Sequence, residues 1–138
     1  QVVLVGYGRV GRLIAGALDR HEVPYVVAEQ NRERVEELRR RSIAAVSGDG
    51  SQPSVLIQAH IAKASMLVIA TPDMVAVRRM AEIARTLNPG IEIVVRTHDE
   101  EEAALLAQEP LATVFYGEKE LALTMTRHVL GRRGIDAG

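Results

Sequence analysis

Three glycines stand at positions 6, 8 and 11, directly after the apolar run Val2–Val5. Each meets a separate demand of holding a phosphate against a main chain. Gly6 lets the chain turn out of a strand, Gly8 has no Cβ to hold a pyrophosphate off the backbone, and Gly11 lets the next helix press on the sheet. The unpaired N–H groups and dipole of that helix attract anions. Glu29 follows about twenty residues on, at the end of the next apolar run, where a carboxylate accepts hydrogen bonds from both hydroxyls of an adenosine ribose. These positions read as a dinucleotide-type site, with a ligand-free structural βαβ turn as the alternative. Glu29 would repel a 2′-phosphate, which disfavours NADP against NAD, AMP, ADP or ATP. Arg32 is the opposing residue: an Arg near this position can serve NADP, or it lies solvated in the first turn of a helix.

Further side chains point toward the same chemistry. Arg9 inside the motif and Arg96 at the end of a later strand can each reach a phosphate, or each is an ordinary surface arginine. Asp49, preceded by Gly48, falls near where an adenine ring would lie, or forms only a turn. Thr71 contacts ribose or phosphate, or caps the helix after it. Catalytic patterns are missing. His21, His60, His98 and His128 are scattered without metal-ligand spacing. Tyr116 and Lys119 are one residue too close for the Y-x-x-x-K pair of short-chain dehydrogenases. The acidic run from Asp99 to Glu102 is most simply read as complementing the dipole of a helix start.

The elements that must position these residues alternate without interruption. Apolar runs predict strands at Val2–Val5, 25–28, 43–46, 66–70, 91–95 and 112–115. Helical spacing predicts helices at Arg9–Arg20, with Val10, Leu13, Ile14, Ala17 and Leu18 facing inward, and at 32–41, with Val35 and Leu38 inward and Asn31 as N-cap. Further helices are expected near 53–60, 73–87, 99–108 and 118–130. Six strands and six helices on short connections define an α/β, doubly wound Rossmann fold. It has a six-stranded parallel sheet of order 3-2-1-4-5-6 and helices on both faces. Its crevice would be lined by the loops at 6–11, 29–31, 48–51, 71–73 and 96–98. Within those loops Gly6, Tyr7, Gly8, Arg9, Val10, Gly11, Glu29, Gln30, Gly48, Asp49, Thr71 and Arg96 are the candidate cofactor-binding residues. Residues 1–131 form one domain, and 132–138 read as a tail or linker remnant.

Composition narrows the partners. The 138 residues carry 17 basic and 18 acidic side chains, so there is no net field to recruit nucleic acid. With one Phe, three Tyr and no Trp, base-stacking platforms are disfavoured. The absence of cysteine removes disulfides and thiolate chemistry. No apolar run approaches the roughly 20 residues needed to span a bilayer. The chain opens on a core strand without an initiator Met, as expected of a domain taken from a longer protein.

The combination is more specific than the glycine motif. Val5-Gly-Tyr-Gly-Arg-Val-Gly11, Glu29 with the charged run of Arg32 to Leu38, Gly48-Asp49, the run 66–72, Ile93-Val-Val-Arg96 and Tyr116-Gly-Glu118 occur in order between residue 2 and about residue 130. In this the chain resembles the TrkA-N, or RCK N-terminal, domain, in the version found in Kef-type monovalent cation:proton antiporters. The resemblance implies a regulatory domain on the cytoplasmic face of the inner membrane. It would be a homodimer, joined to a membrane-embedded cation antiporter domain of the same polypeptide, binding NAD(H) or AMP or another adenine nucleotide to control transport. It places Gly6, Gly8 and Gly11 on the phosphate side, Glu29 on ribose and Asp49 by adenine, with Arg9 and Arg96 available to phosphates. Residue 50 is Gly where many members have Ala, which predicts a looser adenine-side loop. In the last helix Leu121, Met125 and Val129 form an i, i+4, i+8 stripe that either couples to a neighbour or covers the sheet. The rival class is the cofactor-binding half of an NAD-dependent oxidoreductase, for which no chain remains to build a substrate domain; an S-adenosylmethionine site is a more distant third.

Overall fold

The computed structural model describes residues 1–71 and 74–136. Strands β1 (Val2–Val5), β2 (Tyr25–Glu29), β3 (Ala45–Ser47), β4 (Met66–Ile69), β5 (Glu92–Thr97) and β6 (Ala112–Tyr116) alternate with six helices. These are α1 (Arg9–Arg20), α2 (Arg32–Arg40), α3 (Pro53–Gln58), α4 (Met74–Leu87), α5 (Glu100–Leu106) and α6 (Gly117–Arg132). All strand pairs are parallel, in the order β3-β2-β1-β4-β5-β6. Order reverses at β1, so the β1 and β4 ends diverge and leave a crevice there.

Alternate residues of each strand feed separate cores. Val3, Val5, Leu67, Ile69, Ile93 and Val95 pack with α3, α4 and Leu106 of α5. Val2, Leu4, Val27 and Val68 pack on the other face with Tyr7, Ala15 of α1 and Leu38 of α2. Because both faces of the central strands are covered, β1 is apolar at every position, as expected of a buried parallel strand.

Several expectations are corrected. Leu13 does not face inward; it is 76% exposed. Gly11 sets the rotation of α1, since it is the residue pressed on the β1 turn, and a position two residues later points about 200° around the helix. The buried residues of α1 are accordingly Gly11 and Ala15, while Val10, Ile14 and Leu18 pack partly buried around them. Strand β3 starts at Ala45, not 43. Ser42, at φ 61°, closes α2, and the Ile43 N–H donates to the Leu38 carbonyl at 2.9 Å, a left-handed helix stop with its apolar follower. Strand β5 runs on to Thr97, because Arg96 and Thr97 pair with Phe115 and Tyr116. The expected opening of α4 at Pro72 and Asp73 lies outside the described residues. Helix α6 extends to Arg132 and buries none of its residues; Leu121, Met125 and Val129 are 62%, 60% and 57% exposed. Its stripe therefore does not cover the sheet.

Candidate functional site

A cleft of ≈ 630 Å³ opens over the C-terminal ends of β1, β2 and β4. Its walls are residues 6–9 and 28–31 together with Arg34, Gly48, Ala70, Thr71 and Arg96. The turn out of β1 forms the floor. Gly6 takes φ 97° and donates its N–H to the Ala28 carbonyl at 2.9 Å, a backbone shape that side chains beyond glycine rarely adopt. A Cβ on Gly11 would lie 2.0 Å from the Gly6 carbonyl oxygen, so only glycine lets α1 start this close to the turn. A Cβ on Gly8 would meet no atom within 4 Å. Its missing side chain is open space facing the cleft, at the N-cap of a twelve-residue helix without a side-chain cap. That is the cradle a phosphate needs.

The other pole of the cleft is a carboxylate held from several sides. Glu29 is 7% exposed. Its Oε1 accepts the Tyr7 N–H at 2.9 Å and its Oε2 accepts the Asn31 N–H at 2.7 Å. Arg34 Nη1 stands 3.5 Å from Oε1. Asn31 also caps α2, its Oδ1 accepting the Arg34 N–H at 3.1 Å, so one residue both starts the helix and orients the acid. The middle residue of the glycine motif has a second role. The Tyr7 ring is buried among Leu4, Ala15, Val27 and Leu38, its hydroxyl accepts a hydrogen bond from Arg41 at 3.2 Å, and Arg12 lies over the ring at 5.2 Å. Packing thus anchors the N–H that fixes Glu29.

The remaining candidates divide. Arg9, Gln30, Gly48, Thr71 and Arg96 line the cleft with Gly6, Tyr7, Gly8 and Glu29. Arg96 Nη2 lies 2.9 Å from His98 Nε2. Val10, Gly11 and Asp49 are not on the cleft wall. Val10, in the first turn of α1, packs partly buried against the core, Gly11 is behind the turn, and the Asp49 carboxylate is engaged locally: Oδ1 accepts both the Ser51 N–H and hydroxyl at 2.8 Å. Asp49 is a turn former here. Nor is its loop loose. Gly50 is buried, with a hypothetical Cβ 3.0 Å from Val5 Cγ1 and 3.1 Å from the Met80 sulfur, and Arg79 donates to the Ser51 carbonyl at 3.1 Å. The glycine tightens the loop against the core.

Sequence reasoning named Arg32 as the arginine relevant to a 2′-phosphate; Arg34 is the one at Glu29. The signal was available in the N-cap. Once Asn31 caps α2, the third helical residue lies in the first turn, where its side chain can reach back over the strand end. The acidic run at 99–102 contributes no site: Asp99 Oδ1 accepts the N–H groups of Glu101 and Glu102. Among the described residues no group of three or more His, Cys, Asp or Glu side chains is placed to hold a metal, and no helix is long and apolar enough to cross a membrane.

The cleft thus sets open backbone at Gly8, with Arg9 and Arg96, and the fixed carboxylate of Glu29 along one wall. The sheet order and its flanking helices define a Rossmann-type domain with an open cleft at the switch point of the sheet. Residues 2–117 match the model of the TrkA-N domain, and the chain belongs to that family. It is 38% identical over 125 residues to the putative cation/proton antiporter YbaL of Escherichia coli strain K12, covering 91% of this chain and 22% of that protein. The crystal structure of the TrkA-N domain of YbaL superposes with a TM-score of 0.88 at 37% identity, covering 93% of this chain and 95% of that one. Two more distant structures share the fold. An AMP-bound Kef C-terminal domain from Shewanella denitrificans has a TM-score of 0.80 at 20% identity, over 96% of this chain and 80% of that one. The NAD-bound GsuK channel has a TM-score of 0.69 at 18% identity, over 78% of this chain and 19% of that one. The chain spans about a fifth of the length of the antiporter relatives it matches.

Proposed function

We propose that this chain is the nucleotide-sensing regulatory domain of a monovalent cation:proton antiporter and performs no catalysis of its own. NAD(H) or an AMP-type adenine nucleotide binds with its phosphates over Gly8, Arg9 and Arg96 and its ribose diol on Glu29. The observation that carries this is the fixed carboxylate. A 7%-exposed Glu29, with a backbone N–H fixing each of its two oxygens, presents a preset carboxylate to a cleft whose other end offers open backbone at Gly8 and the side chains of Arg9 and Arg96. The antiporter context rests on family membership and on the relatives named above. In that context the domain sits on the cytoplasmic face of the inner membrane beside the transport part of its own polypeptide.

The domain works as a homodimer in which α6 of one copy lies against the other. Support comes from matched, uncovered surfaces. Helix α6 presents Leu121, Met125 and Val129 to solvent. The sheet face beside α1 has an apolar cleft of ≈ 200 Å³, lined by Val10, Ile14, Val68, Val94, Phe115 and Arg96 among others. Arg96 lines both this cleft and the nucleotide cleft, so ligand phosphate and dimer packing meet at one side chain. Nucleotide then shifts the dimer between arrangements by the difference in its affinity for them.

Calorimetric titration of the domain with AMP, ATP, NAD, NADH and NADPH tests the reading. Micromolar binding of AMP or NAD(H) is expected, weakened by Glu29→Ala and much weaker for NADPH. If no adenine nucleotide binds, the cleft is not a sensor.

A further inference from the structure

Glu29 is more crowded than a simple ribose acceptor. A carboxylate has about four lone-pair positions, two on each oxygen. The Tyr7 N–H takes one on Oε1 and the Asn31 N–H takes one on Oε2. Arg34 Nη1 stands 3.5 Å from Oε1, an ion pair with no hydrogen bond between them, so one position on each oxygen is left for a ligand and the guanidinium charge stands beside the one on Oε1. A ribose diol that places one hydroxyl on each oxygen would come up against that guanidinium and compete with its attraction for the carboxylate. The guanidinium is free to go, since the Arg34 side chain is 42% exposed and part of the cleft wall.

We infer that Arg34 sets nucleotide specificity at the ribose end of this cleft: it competes with a 2′,3′-diol for Glu29 and supplies the cation that a 2′-phosphate would need. This rests on the nucleotide reading above and gives it an unexpected sign. An arginine lining a nucleotide cleft ordinarily strengthens binding; here its removal strengthens binding of diol ligands. Glu29 repels a 2′-phosphate and Arg34 offsets that repulsion, so together they narrow the gap between the two ligand classes. The dianionic 2′-phosphate can take both in-plane N–H donors of the guanidinium, whereas a diol has no use for them.

Three small probes separate the classes: AMP, 2′-deoxy-AMP and adenosine 2′,5′-bisphosphate. Each is titrated by calorimetry against the unaltered domain, Arg34→Ala, Arg34→Lys, Glu29→Ala and the double variant. With Arg34→Ala, AMP should bind roughly two- to fivefold tighter, the range spanned by partly exposed ion pairs. The bisphosphate should bind about tenfold weaker or worse, as befits loss of a charged hydrogen bond. For 2′-deoxy-AMP the gain should be smaller than for AMP. Arg34→Lys should retain part of the bisphosphate affinity. In the Glu29→Ala background Arg34→Ala should no longer tighten AMP, because the competition runs through that carboxylate. Weaker AMP binding by Arg34→Ala would make Arg34 a direct ligand contact and overturn the competition; unchanged binding of both ligands would overturn the selector role altogether. Absence of any nucleotide binding by the unaltered domain would overturn the sensor reading itself, and this inference with it. Circular dichroism with a melt of each variant confirms that the fold is intact.

Discussion

The two glycines that frame the start of α1 invite one substitution each, Gly8→Ala and Gly11→Ala, with opposite expected outcomes. At Gly8 an added methyl meets nothing within 4 Å, and the backbone, at φ −86°, is extended and open to any residue. Two small terms act on stability. Restricting the unfolded chain stabilises by about 0.4–1 kcal/mol, while alanine is the poorer N-cap by about 0.5–1 kcal/mol. They nearly cancel, so the melting temperature should move by no more than a few degrees. Binding should suffer, because the methyl fills the space where a phosphate approaches the main chain. An expected loss of about tenfold or more corresponds to roughly 1.4 kcal/mol.

At Gly11 the methyl would stand 2.0 Å from the Gly6 oxygen and 2.9 Å from its carbonyl carbon, where real Cβ contacts do not fall below 3.0 Å. Both groups belong to backbone. One of them must shift by about 1 Å, against a turn tied to Ala28 and bordered by Thr71 at 3.1 Å from the Gly6 Cβ position. Helix propensity favours alanine by about 1 kcal/mol, while overpacking costs about 1–3 kcal/mol and more where backbone must move. A net loss near 2 kcal/mol, or a melting temperature lower by about 5–10 °C, is expected, with nucleotide binding lost as the helix start leaves the turn. Scanning calorimetry and nucleotide titration on both variants decide the matter. Unchanged affinity in Gly8→Ala would refute the close-approach role of the motif, and an unchanged melt in Gly11→Ala would refute the packing geometry.

Two further outcomes follow from other parts of the chain. The Tyr25 hydroxyl is pushed up to about 12, first by burial and then by its hydrogen bond to Asp19. The unfolded chain therefore loses that proton first, and stability present below pH 10 should fall as pH rises from 10 to 12. Tyr25→Phe should flatten that part of a melting-temperature profile, and an identical profile would refute the shift. On the proposed dimer, Met125→Asp at the α6 stripe should leave a monomer in sedimentation with unchanged circular dichroism, since the helix buries no residue within its own copy; a variant still fully dimeric would place the interface elsewhere.

What was legible in the sequence was governed by local or topological physics. The β1–α1 motif, the Asn31 cap, Glu29 at the strand tip and the strand order each follow from short-range stereochemistry or from right-handed crossovers. What was missed depends on distant packing. Leu13 looked inward by spacing, but the rotation of α1 is set by Gly11 against Gly6. The local engagement of Asp49 was not visible either: Ser51 donates its N–H and hydroxyl to Oδ1 of that carboxylate. Arg34 looked like one more charge on a solvated helix, and only the fold shows Glu29 beneath it.

Helix α6 shows most plainly why pattern alone stops short. Its stripe of Leu121, Met125 and Val129 has the right period to cover a sheet, and period says nothing about which sheet. The decisive fact is the connection. Strand β6 ends at Tyr116 and α6 begins at Gly117, with no linking residue where a helix that folds back over its own sheet ordinarily has a loop of several. The helix must therefore continue away from the edge of β6. The same missing loop leaves Phe115 41% exposed and the face beside α1 open at Val94 and Arg96. One local event, a helix started without a turn, thus accounts for both unpaired apolar surfaces. The open face beside α1 borders the candidate cleft, since Arg96, next to Phe115 in the β5–β6 register, lines both.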